Sequence, residues 1–147
     1  VLRTGNKFLA ILTLVLDFLK GYITIIITLK YFNDLILLSA LICLLGHIFS
    51  IWLKFKGGKG VATYLGILLA ISVNYFLIFI IVWVSILLIF KYSSLSSILA
   101  AFGIFIYEYF FLESNILSFL FISFIIILYT HRSNILKLIN KTETKVF

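Results

Sequence analysis

The chain is a succession of long apolar segments separated by short polar turns. A helix needs about 20 residues to cross the hydrocarbon core of a bilayer. Three apolar segments lie near or above that length, residues 8–29, 35–53 and 61–90, and two shorter ones follow, residues 98–112 and 116–129. The third segment is too long for one untilted span and carries Asn74 near its middle, so we predict two spans that meet near Asn74, the first of them short. The pattern therefore predicts an all-α, polytopic membrane helix bundle with six transmembrane spans.

The composition agrees with a membrane protein. The chain is 64% hydrophobic and 12% charged, whereas a soluble domain carries about 25% charged residues. Because the apolar segments recur along the whole length, they are not one cleavable signal peptide ahead of a soluble body. We predict a single transmembrane domain over residues 1–147. The single Cys43 offers neither a disulfide nor a metal cluster, and no metal or cofactor is predicted.

The charged residues predict which side of the membrane each turn occupies. With six spans, both chain ends and the loops near residues 57 and 91 lie on one side. Of the 12 Lys and Arg residues, Lys20 lies within the first span and Lys30 on the opposite side, which leaves ten together: Arg3, Lys7, Lys54, Lys56, Lys59, Lys91, Arg132, Lys137, Lys141 and Lys145. Excess Lys and Arg mark the cytoplasmic side, so we predict that both ends are cytoplasmic. Nucleic acid is not expected as a partner, because these charges follow the membrane boundaries.

A glycine-rich loop between two apolar segments has the composition of an anion site. Glycines allow the backbone to bring N–H groups against a ligand, the lysines supply full charges, and a helix that begins near Val61 adds its positive N-terminal end. This loop, residues 54–60, is not a Walker A loop, because Gly60 and not Ser or Thr follows Lys59. Phosphate binding is one interpretation and a flexible, positively charged connector is the other. The candidate phosphate-binding residues are Lys56, Gly57, Gly58, Lys59, Gly60 and Thr63.

A stripe of polar side chains marks one face of the first span. Its members recur at spacings of three and four, so they share a helix face: Thr13, Asp17, Lys20, Thr24 and Thr28. Asp17 and Lys20 can pair across one turn. Ionisable groups in a span usually face a protein interior or a wet cavity. A structural ion pair that holds this helix to its neighbours is the simpler interpretation, and a direct catalytic role remains open.

Two histidines and a serine cluster are the remaining polar candidates. His47 lies at the end of the second span, and His131 opens the basic tail, three residues before Asn134. Each imidazole could position a reacting hydroxyl or take its proton, or could be a hydrogen-bonded boundary residue. The serines after Lys91 could cap a helix that begins near Leu95 or line an anion pocket. They lie outside any Gly-x-Ser-x-Gly sequence, so a serine hydrolase is not expected. The cluster comprises Ser93, Ser94, Ser96 and Ser97.

Together these motifs resemble the bacterial acyl-phosphate:glycerol-3-phosphate acyltransferases, the PlsY family. Its central signature is similar to Gly46-His-x-Phe and Phe55-Lys-Gly-Gly-Lys-Gly-Val-Ala-Thr63, and its last motif to His131-Arg-x-Asn-Ile-x-Lys-Leu and Thr142-Glu-x-Lys145. Three further segments match in the same order: Val-Leu-Arg-Thr-Gly5, Asp17-Phe-Leu-Lys-Gly21 and Lys91-Tyr-x-Ser-Leu-x-Ser97. Family members have seven spans. This chain begins at what would be the tail of their first cytoplasmic loop, so an N-terminal truncation that removes the first helix and the first-loop motif is expected.

The resemblance implies a membrane enzyme of phospholipid biosynthesis. It would move a fatty acyl group from acyl phosphate to the primary hydroxyl of glycerol 3-phosphate, giving 1-acylglycerol 3-phosphate and phosphate, in the cytoplasmic (inner) membrane of a bacterium. Besides these substrates and membrane lipids, no obligate protein partner is predicted. The implied catalytic residues are Lys59, His131, Asn134 and Arg3; the implied phosphate-binding residues are Lys56, Gly57, Gly58, Gly60, Thr63, Ser94 and Ser97; the implied supporting residues are Asp17, Lys20, His47, Arg132 and Glu143.

A small membrane transporter or channel component is the alternative. It would have a cytoplasmic anion-binding mouth and would use the polar stripe of the first span as its pathway. This class predicts solute flux across sealed vesicles and no product chemistry. The distribution of polar residues argues against it, because they gather on one side of the membrane, whereas transporters bind their cargo near the midplane.

Overall fold

The computed structural model describes residues 7–55, 57–111 and 115–147, and this part of the chain is helical, with no strand. The chain divides into two compact units, residues 1–73 and 74–147, and the prediction of one domain stays a prediction. Arg3 and Lys56, two of the predicted site residues, lie outside the described residues. The helices are α1 Lys7–Tyr31, α2 Ile36–Ile48, α3 Val61–Ile71, α4 Val73–Phe90, α5 Ser93–Phe111, α6 Leu117–Thr130 and α7 Arg132–Ile139, with short 3₁₀ turns at Asn33–Leu35 and Ile51–Leu53.

Four described segments are long and apolar enough to cross a membrane: Lys7–Tyr31, Asn33–Leu53, Val73–Phe90 and Ser93–Phe111. Helices α6 and α7 pass the same criterion as a pair but are bent by 62° at their junction, which makes a fifth candidate, and α3 is apolar but shorter. The prediction of a polytopic, all-α membrane protein is therefore confirmed.

Two helix boundaries differ from those predicted. The break expected near Asn74 lies at Ser72, whose extended backbone (φ −160°, ψ 130°) ends α3. The span predicted to begin at residue 98 begins at Ser93. The hydroxyls of Ser96 and Ser97 donate to the carbonyls of Tyr92 and Ser93, at 2.8 and 3.0 Å. Their hydrogen bonds are thus satisfied inside the helix, which lets a polar sequence form its first two turns.

The first unit is built on a close contact between α1 and α3. A Cβ atom on Gly21 would meet the carbonyl oxygen of Thr63, and one on Gly66 would meet the carbonyl oxygen of Phe18 and the amide nitrogen of Tyr22. The two backbones therefore touch at these glycines. Close approach at small residues is a usual way for helices to associate in lipid, where van der Waals packing replaces the hydrophobic effect between helices.

Substitution of Gly66 by alanine is expected to destabilise the first unit. The methyl group would force α1 and α3 apart, and overpacking of this kind costs about 1–3 kcal/mol. Thermal unfolding of the detergent-solubilised protein measures the effect as a lower midpoint. Gly103→Ala is the matched control, since the nearest atom to its new methyl group would be a Val82 methyl at 3.6 Å, an ordinary contact. Equal midpoints for the two variants would contradict the α1–α3 contact.

The second unit packs α5 against α6 through aromatic side chains that remain partly exposed. The rings of Phe102 and Phe124 lie 5.2 Å apart, and those of Phe105 and Phe121 lie 5.3 Å apart. The chain after α7 folds back towards the start of α5, where the Val146 amide donates to the Lys91 carbonyl at 2.9 Å. This return brings tail residues beside the serine cluster.

Candidate functional site

Eight of the predicted site residues lie in two polar clusters, one in each unit. The loop cluster consists of Asp17 and Lys20 from α1, His47 from α2, and Gly57 and Gly58 from the glycine loop. The tail cluster consists of Ser94 from α5, Asn134 from α7, and Glu143 from the segment that follows α7.

The loop cluster joins α1 to α2 through one ammonium group. Lys20 Nζ lies 2.5 Å from Asp17 Oδ1, as the one-turn spacing predicts, and 2.5 Å from His47 Nδ1. Asp17 Oδ1 is also 3.3 Å from His47 Nδ1. The other members of the stripe bond within their own helix: Thr13, Thr24 and Thr28 each donate to the carbonyl four residues earlier. Thr24 also accepts from Cys43 Sγ on α2 at 3.7 Å, so the stripe reaches α2 through Thr24 as well as through the Asp17–Lys20–His47 arrangement.

The glycines of the loop bring it directly onto the C-terminal end of α2. The amide of Gly57 donates to the carbonyl of Ile48 at 3.0 Å. A Cβ atom on Gly57 would meet the carbonyl oxygens of His47 and Ile48, and one on Gly58 would meet the His47 imidazole. Two of the glycines are thus required by close packing, beyond the freedom to turn that the sequence suggested.

The end of the loop leads into α3. Gly60 has φ 87°, a conformation that favours glycine, and its carbonyl accepts from the Tyr64 amide at 2.8 Å. Lys59 is exposed. Thr63 is fully buried, with its carbonyl against Gly21, and its hydroxyl has no hydrogen-bond partner among the described residues. The loop therefore presents Lys59 outward and Thr63 inward.

A cavity of about 470 Å³ opens between α1, the end of α2 and the glycine loop. Its lining combines the three ionisable side chains of the loop cluster with glycine backbone and a few neighbouring side chains. The lining residues are Thr13, Asp17, Lys20, Gly46, His47, Ser50, Leu53, Gly57 and Gly58.

The tail cluster is organised around one carboxylate. Ser94 Oγ donates to Glu143 Oε1 at 2.5 Å, and Asn134 Nδ2 donates to the same oxygen at 3.0 Å. Ser97 is engaged elsewhere, because its hydroxyl accepts from Trp83 Nε1 at 3.0 Å and donates to the Ser93 carbonyl. Glu143 thereby ties the tail to the first turn of α5 and to α7.

The two basic residues at the start of α7 point in different directions. His131 is buried, and its Nδ1 lies 2.8 Å from the Ile127 carbonyl oxygen. That contact requires a proton on Nδ1, so Nε2 of the neutral ring is an acceptor. Arg132 is exposed, donates to the Tyr129 carbonyl at 3.0 Å and stacks over the Tyr129 ring at 4.4 Å. His131 has the tautomer that can receive a hydroxyl proton or hydrogen bond, while Arg132 is held against the helix before it.

Sequence reasoning missed the contacts that join distant residues. The Lys20–His47 contact spans 27 positions and the Ser94–Glu143 contact spans 49. Tyr75 donates to the buried carboxylate of Glu108 at 2.6 Å and so links α4 to α5, although neither was a predicted site residue. Periodicity and local motifs carry no signal for such pairs. Within the described residues, no three His, Cys, Asp or Glu side chains lie close enough to hold a metal ion.

These features define a class: an α-helical integral membrane protein with a glycine–lysine loop between α2 and α3 and a polar C-terminal segment after α6. The family model described as glycerol-3-phosphate acyltransferase matches residues 1–141. The chain belongs to this glycerol-3-phosphate acyltransferase family, and the predicted resemblance and enzyme class are confirmed.

Relatives in bacteria support this membership. The chain is 48% identical to the glycerol-3-phosphate acyltransferase of Pelagibacter ubique over 144 residues, which is 98% of this chain and 75% of the relative. It is 45% identical to that of Wolbachia pipientis wMel over 150 residues, 100% of this chain and 78% of the relative. The chain thus spans about three quarters of the length of these relatives.

Two solved structures share the fold. Both are crystal structures of PlsY (YgiH), an integral membrane glycerol 3-phosphate acyltransferase. The glycerol 3-phosphate form has a TM-score of 0.91 with 35% sequence identity, covering 99% of this chain and 74% of that one. The lysophosphatidic acid form has a TM-score of 0.89 with 35% identity, covering 97% and 75%. At this identity and coverage the likeness extends to the helix arrangement along nearly the whole chain.

Proposed function

We propose that this protein transfers a fatty acyl group from acyl phosphate to the primary hydroxyl of glycerol 3-phosphate, and releases 1-acylglycerol 3-phosphate and inorganic phosphate. The observation that carries the proposal is the likeness to an acyltransferase whose solved forms are named for glycerol 3-phosphate and for lysophosphatidic acid. The acyl phosphate donor follows from the motifs of the resembled family, and the described loop and tail residues are consistent with phosphorylated substrates.

The loop residues take the phosphate-binding roles in this proposal. Lys59 is exposed beside the loop glycines, and an ammonium group is a strong point-charge partner for phosphate. Lys56, Arg3, Thr63 and Ser97 are assigned to the same task on the sequence motifs alone. Ser94 is assigned to it on the motifs too, but its hydroxyl donates to Glu143, so it would bind phosphate only by turning that proton away from the carboxylate.

The tail residues orient the acceptor. Asn134 is held by Glu143, and Nε2 of His131, the acceptor nitrogen of its neutral ring, suits a hydrogen bond from the glycerol hydroxyl. The acyl phosphate is already an activated mixed anhydride, so holding the hydroxyl oxygen against the acyl carbonyl carbon supplies much of the rate acceleration. Neither a covalent acyl-enzyme nor a metal is needed for this step.

We further propose six spans with both chain ends on the cytoplasmic face of a bacterial inner membrane. The support is the placement of the Lys and Arg residues, which the positive-inside rule assigns to that face. Labelling with a membrane-impermeant maleimide tests it in a Cys43→Ser background, since Cys43 is the chain's single cysteine. Lys30→Cys should react in intact cells, and Lys145→Cys should react only after lysis. Reaction of both in intact cells would reject this topology.

The activity test is product formation by the protein in lipid vesicles. Palmitoyl phosphate and labelled glycerol 3-phosphate should yield labelled lysophosphatidate and one equivalent of phosphate. Phosphate release should depend on glycerol 3-phosphate, and palmitoyl-coenzyme A should not replace the donor. Product from the coenzyme A thioester alone would reject the donor assignment. Folded protein that makes no product with either donor would reject the acyltransferase function.

A further inference from the structure

The chain leaves α2 through an apolar turn before it reaches the loop glycines. This apolar turn, residues 49–55, contains the 3₁₀ turn Ile51–Leu53. It carries five large apolar side chains, and all of them are exposed: Phe49, Ile51, Trp52, Leu53 and Phe55. Trp52 is 94% exposed, the highest value for a large apolar side chain among the described residues. A cluster of this kind is the usual mark of a surface that contacts a partner or a membrane.

The backbone of the apolar turn pairs with itself and with α2. Lys54 and Phe55 have φ angles of 52° and 62°, so the chain turns sharply here and returns to the end of α2. Five amides donate at 2.7–3.1 Å within this region: Leu53 and Phe55 to the Ser50 carbonyl, Lys54 to Ile51, Phe49 to Leu45, and Gly57 to Ile48. Lipid offers backbone groups no hydrogen-bond partner. Internal pairing therefore lowers the cost of removing this turn from water.

The length of α2 places the apolar turn at the edge of the membrane. The 13 residues of α2 extend about 20 Å at 1.5 Å per residue, whereas the hydrocarbon core of a bilayer is about 30 Å thick. The candidate span Asn33–Leu53 reaches 21 residues because it includes the 3₁₀ turns on both sides of α2. The apolar turn therefore completes this span, and its outer end lies where hydrocarbon gives way to headgroups.

The residue types of the apolar turn suit that boundary. Tryptophan is enriched at membrane interfaces, because its ring favours acyl chains and its N–H group favours water or headgroups. Lys54 is the only charged residue at positions 49–55, and it is exposed. Its long aliphatic stem allows the ammonium group to reach headgroups while the turn stays in lipid. The charge is thus compatible with a turn that lies at the membrane surface.

We infer that the apolar turn is a membrane anchor whose exposed side chains lie among the lipid headgroups and the upper acyl chains beside α2. The partner is the bilayer surface, because the turn continues a membrane span and carries residue types that favour this boundary. Ser50 and Leu53 of the turn also line the cavity described above, and the Gly57 amide ties the glycine loop to the end of α2. The anchor therefore holds the cavity and the start of the glycine loop at the depth of the headgroups. Lipid contact of this kind does not depend on the proposed chemistry.

Tryptophan fluorescence in lipid vesicles tests the anchor, since the chain has 2 tryptophans. In Trp83→Phe the emission comes from Trp52 alone. In the matched variant Trp52→Phe it comes from Trp83, which lies within the span α4 and donates to the Ser97 hydroxyl. The vesicles contain phosphatidylcholine and phosphatidylglycerol, with bromine either near the headgroup end of the acyl chains or near their middle. Acrylamide is the quencher in water.

Trp52 should be quenched more strongly by bromine near the headgroups than by bromine in the middle of the chains. Its quenching by acrylamide should be about threefold or more below that of a tryptophan amide free in water, as for an indole at the membrane interface. Trp83 should show the opposite preference between the two brominated lipids, because its position is near the middle of α4.

Three results would overturn the anchor. Full quenching of Trp52 by acrylamide, without an effect of brominated lipid, would place the apolar turn in water. Protection from both kinds of quencher would show that another protein segment or a second copy of this chain covers it. Stronger quenching by bromine in the middle of the chains would place the turn inside the hydrocarbon and reject the boundary position.

A difference measurement covers the case in which Trp83→Phe fails to fold. Trp52→Phe replaces one exposed aromatic side chain by another, so it disturbs little packing. Subtraction of its emission from that of the unchanged protein, with the same quenchers, gives the signal of Trp52. The same pattern of quenching is expected, and the same three results would contradict it.

Discussion

Replacement of Lys59 by alanine is expected to lower turnover by about 10³-fold or more. Lys59 is an exposed lysine between Gly58 and Gly60, and the loop around it is closely packed on the end of α2. Its ammonium group can therefore meet a substrate phosphate without a change of loop conformation. Electrostatic stabilisation of the transition state by preorganised charges is commonly the main source of an enzyme's rate acceleration. Initial rates of lysophosphatidate formation, with each substrate varied in turn, measure the effect.

Lys54→Ala is the matched control for this prediction. Lys54 is also exposed and lies in the same loop region, just before the glycines. Its loss removes one positive charge from the loop region without touching the loop cluster, so activity should remain within about twofold, as for most exposed charges. If both variants lose activity equally, the loop acts only through its overall charge. If Lys59→Ala remains active, the assignment of Lys59 to phosphate is wrong.

Replacement of Glu143 by alanine is expected to lower kcat/KM for glycerol 3-phosphate about 10²-fold. Glu143 Oε1 is the common acceptor for Ser94 and Asn134, so its removal releases both side chains at once. A displacement of about 1 Å in positioning groups is enough for a loss of this size. Loss of a shared, partly buried acceptor should also lower the free energy of unfolding by about 1 kcal/mol.

Two further variants distinguish positioning from general destabilisation. Glu143→Gln keeps an acceptor oxygen and should retain much of the activity. Thr142→Ala changes the neighbouring residue, whose hydroxyl is exposed and 3.4 Å from the Lys137 carbonyl, and should be close to unchanged. Because Ser94 and Glu143 form one unit, Ser94→Ala should add little to the loss in a Glu143→Ala background. Additive losses would show that the two residues act separately.

The helices and the family were accessible from sequence because both depend on local patterns. Apolar runs near 20 residues predict spans wherever they occur, and the signatures around Lys59 and His131 are contiguous. The start of α5 was misplaced because Ser93 to Ser97 look like a turn. In the structure, Ser96 and Ser97 bond back to the preceding turn and extend the helix. Local composition predicted that the helix begins after these serines, whereas their side-chain hydrogen bonds allow the helix to include them.

By itself, the sequence determined that the chain lies in lipid, that it is helical, and which loop and tail carry the polar chemistry. Only the tertiary structure decided which of these groups lie together. His47 meets Lys20 because α1 and α2 pack side by side, and Glu143 meets Ser94 because the chain turns back after α7. The glycines at 57 and 58 proved to be packing positions against α2 as well as turn positions. Such contacts depend on helix packing and chain reversal, which join residues far apart in sequence, whereas hydrophobic periodicity records only whether each residue lies in lipid or in water.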